Sequence, residues 1–203
     1  MQNKVSNYDT DLFTPIFEAI QGITGAPSYA GKIGSEDVNQ VDTSYRIVAD
    51  HIRTLTVGLS DGVVPDHHDR GYLMRRILRR AVRCAGENLG AKSGHIASIV
   101  PVVVQSLGEA FPELHRNCES VMKTINKEES QYRELLRDAL RICRETIREE
   151  QTWKFVPGDF AWRLQAVHAL PLELTKEVAE DHGLTVNMKE YEEARQKASV
   201  NDV

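Results

Sequence analysis

The chain has 203 residues, 41% hydrophobic and 27% charged, an ordinary balance for a globular chain long enough to bury a core as one large domain or two small ones. Its formal net charge of −5 excludes a bulk polycation, so any nucleic-acid footprint has to be local. It contains no apolar run of transmembrane length and no signal-peptide pattern, and no membrane is expected as a partner.

The three cysteines, Cys84, Cys118 and Cys143, lie far apart and form no C-x-x-C pair, which suggests reduced thiols in an intracellular protein. Met1 leads straight into QNKVSNYDTDLF, which reads like the middle of a protein.

Asp9 or Thr10 can cap a first helix with Leu12, Phe13, Ile16, Phe17 and Ile20 on one face and Pro15 in its first turns. Residues 22–41 hold four glycines, Pro27 and the acidic pair Glu36–Asp37, and read as a loop. Asp42 and Thr43 offer caps for a helix reaching about Asp61, with an apolar stripe of Tyr45, Val48, Ile52, Leu55 and Leu59. Arg46, Asp50 and Arg53 lie on another side at spacings that suggest local pairing. His51, beside the stripe, reads as a hydrogen-bonded structural residue.

Gly62 ends that helix, and residues 64–69 (VPDHHD) turn the chain into the next. The adjacent His67, His68 and Asp69 resemble a metal-ligand run, but the loop is short and no further ligand pair at helical spacing faces it. Their position, at the mouth of the helix that follows, matters more.

That helix, residues 70–89, is the most informative stretch of the chain. Wound at about 100° per residue, Arg75, Arg76, Arg79, Arg80 and Arg83 share one side. Leu73, Met74, Ile77, Leu78, Ala81, Val82, Ala85 and Leu89 take the other. Glu87 is its only acidic residue. Like charges at i, i+4 destabilise a helix by a few tenths of a kcal/mol per pair, so stacking several of them points to a polyanion outside. Arginine suits phosphate because its planar fork donates two parallel hydrogen bonds. The competing reading is a solvated face whose arginines pair with carboxylates of neighbouring helices.

Residues 96–110 are almost wholly apolar and read as a core helix, with a buried strand as the competing assignment. A long helix follows over about 117–150. Its stripe runs through Val121, Met122, Ile125, Tyr132, Leu135, Leu136, Ala139, Ile142, Cys143 and Ile147, and its interleaved Glu and Arg, from Glu129 and Arg133 onward, read as a solvated, salt-bridged face. Pro157-Gly158-Asp159 starts a short helix with Phe160, Trp162, Leu164 and Val167. Pro171 opens a helix over 171–181 that Gly183 closes, and Asn187 with Glu190 makes a capping box for a last helix over 188–199. Cys84 and Cys143 read as small core residues. The expected architecture is all-α, an irregular array of about seven helices including one long one.

The search for chemistry returns no Gly-rich phosphate loop with lysine, no G-x-S-x-G, no H-E-x-x-H and no carboxylate pair at a defined spacing. Catalytic, cofactor and metal residues are expected to be none. The residues alone describe a helical domain that presents an arginine face to a nucleic-acid backbone.

Four stretches carry a family likeness: SNYDTDLF (6–13), DTSYRIVADHIRTLTVGLSDG (42–62), RGYLMRRILRRAVR (70–83) and VVVQSLGEAFPEL (102–114). They resemble alanyl-tRNA synthetases, and the likeness continues to GLTVNMKEYEEA (183–194). The resemblance implies the region just after the class II catalytic core. Residues 1–41 would be the tail of the aminoacylation core with its loop, and 42–203 the helical tRNA-recognition domain. It implies a parent that activates alanine with ATP and Mg²⁺ and esterifies tRNA(Ala), in the cytoplasm or the mitochondrion. It implies too that this stretch lacks the three class II motifs, the zinc-dependent editing site and the C-terminal oligomerising segment, so that its partners are the acceptor stem of tRNA and the parent's catalytic and editing domains.

The family reads a G·U pair in the acceptor stem with an Asn in the loop before the arginine helix and an Asp in a Leu-Tyr-Asp-Thr-Tyr-Gly-Phe-Pro segment. Here the first position is His67 and the second, in LQAVHALP (164–171), is Ala166. Asn both donates to and accepts from base edges, Asp accepts from the guanine amine, and Ala does neither. The expected tRNA contacts are Arg70, Arg75, Arg76, Arg79, Arg80 and Arg83 on phosphates, with His67 and Asp69 near the acceptor-stem groove. One or two of the arginines can pair with carboxylates of the long helix instead. A degenerate paralogue or short isoform that serves as a non-catalytic scaffold is the alternative.

Overall fold

A computed structural model describes residues 6–201, and the side chains of 199–201 are not considered. The helices are α1 (Thr14–Thr24), α2 (Val41–Ser60), α3 (Asp69–Leu89), α4 (His95–Ser98), α5 (Val100–Leu107), α6 (Glu113–Glu149), α7 (Gly158–His168), α8 (Leu172–Asp181) and α9 (Met188–Asn201). Among the described residues there is no strand; an isolated bridge joins Val156 and Val186. The all-α class is as the periodicity implied. The chain forms two compact units that part between Ser130 and Gln131, within the 37-residue α6.

The first unit is built on α2. Tyr45, Val48, Ala49, Ile52 and Leu55 recur at helical spacing and are fully buried. They face α1, α3 and α5, whose buried residues include Ile16, Phe17 and Ile20, then Met74, Leu78, Ala81, Val82 and Ala85, then Val100 and Val103. The start of α2 is fixed from outside the helix. Asp37 Oδ1 and Oδ2 accept from the backbone N–H groups of Asp42 and Thr43 at 3.1 and 2.7 Å, while Asp42 accepts from the N–H of Ala30 and Lys32 at 3.0 and 2.6 Å. Thus Asp42 does not cap α2 as the sequence suggested; it fastens the preceding loop, and Asp37 takes the capping role.

Other expectations are redrawn. Tyr8 donates to Asp50 at 2.6 Å, Arg53 lies 4.5 Å over the Phe13 ring, and Arg46 reaches Tyr29 and Thr43, so these three residues of α2 do not simply pair with one another. The apolar run 96–110 is helical but broken at Ile99 into α4 and α5. The long helix begins at Glu113, four residues earlier than its stripe indicated. Glu129 is fully buried rather than solvated and accepts from the Gly94 N–H at 3.3 Å.

The second unit packs Ala139, Cys143 and Ile147 of α6 with Val156, Leu164, Leu170, Val178 and Ala179. Cys84 and Cys143 are buried and reduced, and burial pushes the Cys143 thiol up to about 11. Asn187 Oδ1 accepts from the Glu190 N–H at 3.3 Å, half of the expected capping box; Glu190 itself turns away to the Gly158 N–H of α7 at 3.0 Å. α7 and α9 meet at Gly158, where a Cβ would fall 2.1 Å from the Tyr191 backbone N and 2.3 Å from the Asn187 carbonyl O.

Candidate nucleic-acid interface

The arginine helix, α3, docks on α2 through its apolar side, and Asn88 donates to Ser44 Oγ at 2.8 Å to fix the pair near the C-terminal end of α3. Its N-terminal end is fixed by a glycine. Gly71 is buried, and a Cβ there would fall 2.4 Å from the Val64 carbonyl O and 2.8 Å from the Asp66 backbone N. The loop therefore lies directly on the helix, which a side chain at this position would prevent.

That close approach sets His67 against α3. Its ring nitrogens are 3.0 and 3.1 Å from Nη1 of Arg75. The Arg75 Nε in turn lies 3.4 Å from Oε2 of Glu128 on α6, with the two side chains 14% and 15% exposed. Arg75 thus points into the unit. It is an arginine of the kind the sequence allowed to pair with the long helix.

The remaining arginines divide by exposure. Arg70, Arg76 and Arg80 are exposed, as are His67, His68 and Asp69; Arg79 and Arg83 are half-buried. The Arg76 guanidinium stands 5.8 Å from the centre of the Tyr72 ring. Asp69 begins α3 with φ +46, a left-handed conformation uncommon outside glycine. Its carboxylate sits in the first turn, where the helix dipole favours it. Among the described residues no three His, Cys, Asp or Glu side chains are gathered to hold a metal ion, His67, His68 and Asp69 included.

Behind the exposed face stands His51 on α2, half-buried. Burial first, then the charge of Arg80, hold it below the ordinary histidine value, while Asp50 opposes them. This couples a core-facing residue to an exposed arginine.

Two features of the face escaped the sequence. Tyr72 and Leu73 are 51% and 50% exposed, although helical spacing had put Leu73 on the apolar side. Leu73 lies at the border of the two faces, where a 100° wheel decides little. Tyr72 shares the arginine face by the same spacing, a signal available in the sequence but masked by the arginines around it. Ala166, the other position of interest, is exposed on α7 in the second unit. No helix among the described residues is long and apolar enough to cross a membrane.

Comparison with known proteins locates the chain among its relatives. A family model described as tRNA synthetases class II (A) matches residues 1–202. The chain is 51% identical over 200 residues to the cytoplasmic alanine–tRNA ligase of Caenorhabditis elegans and 46% identical over 200 to that of Bombyx mori, in each case 98% of this chain and 21% of the relative. It is 40% identical over 199 residues to the mitochondrial alanine–tRNA ligase of Mus musculus, 97% of this chain and 20% of the relative. The chain therefore spans about one fifth of the length of these relatives.

Proposed function

The chain belongs to the class II alanyl-tRNA synthetase family, and from that premise we propose that it is the tRNA-docking part of an alanine–tRNA ligase, holding the acceptor stem by its phosphates. In this reading residues 42–203 are the tRNA-recognition region and 1–41 the tail of the aminoacylation core. ATP, Mg²⁺ and alanine are handled by the rest of the parent enzyme.

The observation that carries the proposal is the exposed guanidinium face of α3, Arg70, Arg76 and Arg80, on a chain whose net charge is −5. A local cationic face on an acidic chain is what a backbone-directed RNA contact requires. Arg79 and Arg83 flank it half-buried, while Arg75, held by Glu128 and His67, positions the loop rather than a phosphate.

Phosphate contacts orient an RNA without reading it. The positions that the resemblance assigns to the family's G·U contact, His67 and Ala166, are both exposed and differ from the family's Asn and Asp. Ala166 offers no group to a base edge, and the His67 ring is drawn to Arg75. The proposal is therefore docking with altered G·U identity contacts. Its test is a titration of the chain with tRNA(Ala) and with a copy whose G·U pair is G·C, at low and moderate salt. Equal, salt-sensitive binding to both is expected. A clear preference for the G·U form would mean that other residues read the pair.

The loss of a hydrogen-bonding group at Ala166 and the internal pairing of Arg75 also favour a second reading, a non-catalytic scaffold that kept the helical domain. No RNA binding at either salt would support it.

A further inference from the structure

The arginine face carries a side chain that phosphate binding does not need. Tyr72 is half-exposed in the first turn of α3, and Arg76 and Arg80 follow it at i+4 and i+8. In a helix such residues lie one above the next, so the ring is the first member of a row whose other members are guanidiniums. The Arg76 guanidinium is 5.8 Å from the ring centre, within cation–π range. Leu73 beside it, 50% exposed, adds apolar surface.

We propose that Tyr72 and Arg76 form a stacking platform for an unpaired nucleotide, next to phosphates held along α3. This rests on the docking reading above. A duplex offers an arginine face only phosphates, sugars and groove edges, and an aromatic ring gains little there. An unpaired base has an exposed π-face. Aromatic rings and guanidinium planes take such bases in a sequence-tolerant way, while neighbouring cations track the backbone. The occupant is thus the first unpaired nucleotide beyond a duplex end, its base against the ring and its phosphate toward Arg76 and Arg80. The ring's contribution to binding is not ionic, so removing the ring should leave the salt dependence unchanged.

The test compares two RNAs with the same stem, one blunt and one with a four-nucleotide single-stranded 3′ extension, against the full chain. The wild type should bind the extended RNA tighter by about fivefold or more. Tyr72→Leu should lose that preference without changing the salt slope, and Tyr72→Phe should keep it. Arg80→Ala should lower the slope and keep the preference. Independently of any variant, 2-aminopurine at the first unpaired position should be quenched on binding. Salt-sensitive binding of the wild type with no preference and no quenching would overturn the platform and leave the docking reading standing, as would a preference that survives Tyr72→Leu. Absence of binding to both RNAs would overturn the docking reading and the platform together.

Discussion

Arg75 and Glu128 are an ion pair inside what the sequence presents as an RNA-facing surface, Nε to Oε2 at 3.4 Å with both side chains largely buried. The pair divides the arginines of α3 by task. Arg75 ties α3 to α6 and holds the His67 loop, while Arg76, one residue on, is exposed. Removing one partner of such a pair strands the other charge, which costs more than the pair itself contributes. Arg75→Ala should therefore destabilise the fold by roughly 1–3 kcal/mol in urea denaturation, below the figure for a fully buried pair because some solvent reaches both groups. It should remove less than one unit from the salt slope of RNA binding. Unchanged stability with a full unit lost would show that Arg75 faces phosphate.

His51 gives a pH dependence with a definite sign. Burial and Arg80 depress its folded-state value below the ordinary 6.5. The unfolded chain thus binds the proton more readily, and stability present above about pH 6.5 is lost as the pH falls below it. His51→Gln should flatten this part of the profile. Arg80→Ala should raise the His51 value in an NMR titration, and a phosphate bound at Arg80 should do the same. A His51 titration indifferent to both would mean that Arg80 does not act on it.

Tyr8 reports the attachment of the N-terminal segment to α2. Its hydroxyl donates to Asp50 at 2.6 Å, and that bond, ahead of burial and the Asp50 charge, raises it to about 12. The folded state holds the phenolic proton more tightly, so this contribution is present below pH 10 and is lost as the pH rises toward 12. Burial also raises Tyr45 and Tyr191, so the late phase of an ultraviolet titration should hold several tyrosines, and Asp50→Asn should bring Tyr8 out of it. A late phase that Asp50→Asn leaves unchanged would remove the bond.

Backbone geometry makes two opposite predictions in the second unit. Ala169 closes α7 at φ +56, with the Leu170 N–H bonded to the Leu164 carbonyl at 3.0 Å and Leu170 buried beneath. A β-carbon is strained there, so Ala169→Gly should stabilise by about 1 kcal/mol. At Gly158 a β-carbon would strike backbone atoms of α9, so Gly158→Ala should destabilise by roughly 1–3 kcal/mol. Thermal melts of both variants check the pair, and the same sign in both would contradict the geometry.

How far the fold is legible in the sequence depends on the range of the interaction concerned. The stripe of Tyr45, Val48, Ile52 and Leu55 and the buried side of α3 follow from a 3.6-residue period, and both are where the period puts them except for Leu73 at the border of the two faces. The polar residues that depart from the sequence pattern do so through partners distant in the chain. Asp42 is a good capping residue by type, but the loop's N–H groups reach it first. Glu129 sits among charged neighbours in sequence yet faces the core. The arginine face was visible from spacing alone, because i and i+4 are local. Which arginine turns inward was not, because Glu128 lies on another helix far along the chain. The need for glycine at position 71 comes from the Val64–Asp66 loop lying against α3, which the helical period does not specify.

The most direct test is the salt dependence of tRNA binding by the wild type and by the double variant Arg76→Ala, Arg80→Ala. Each true phosphate contact releases close to one counterion, so the double variant should lower the slope of log K against log salt by about two units while weakening G·U and G·C forms of tRNA(Ala) alike. An unchanged slope would mean that the exposed arginines of α3 touch no phosphate, and that the docking surface lies elsewhere or does not exist.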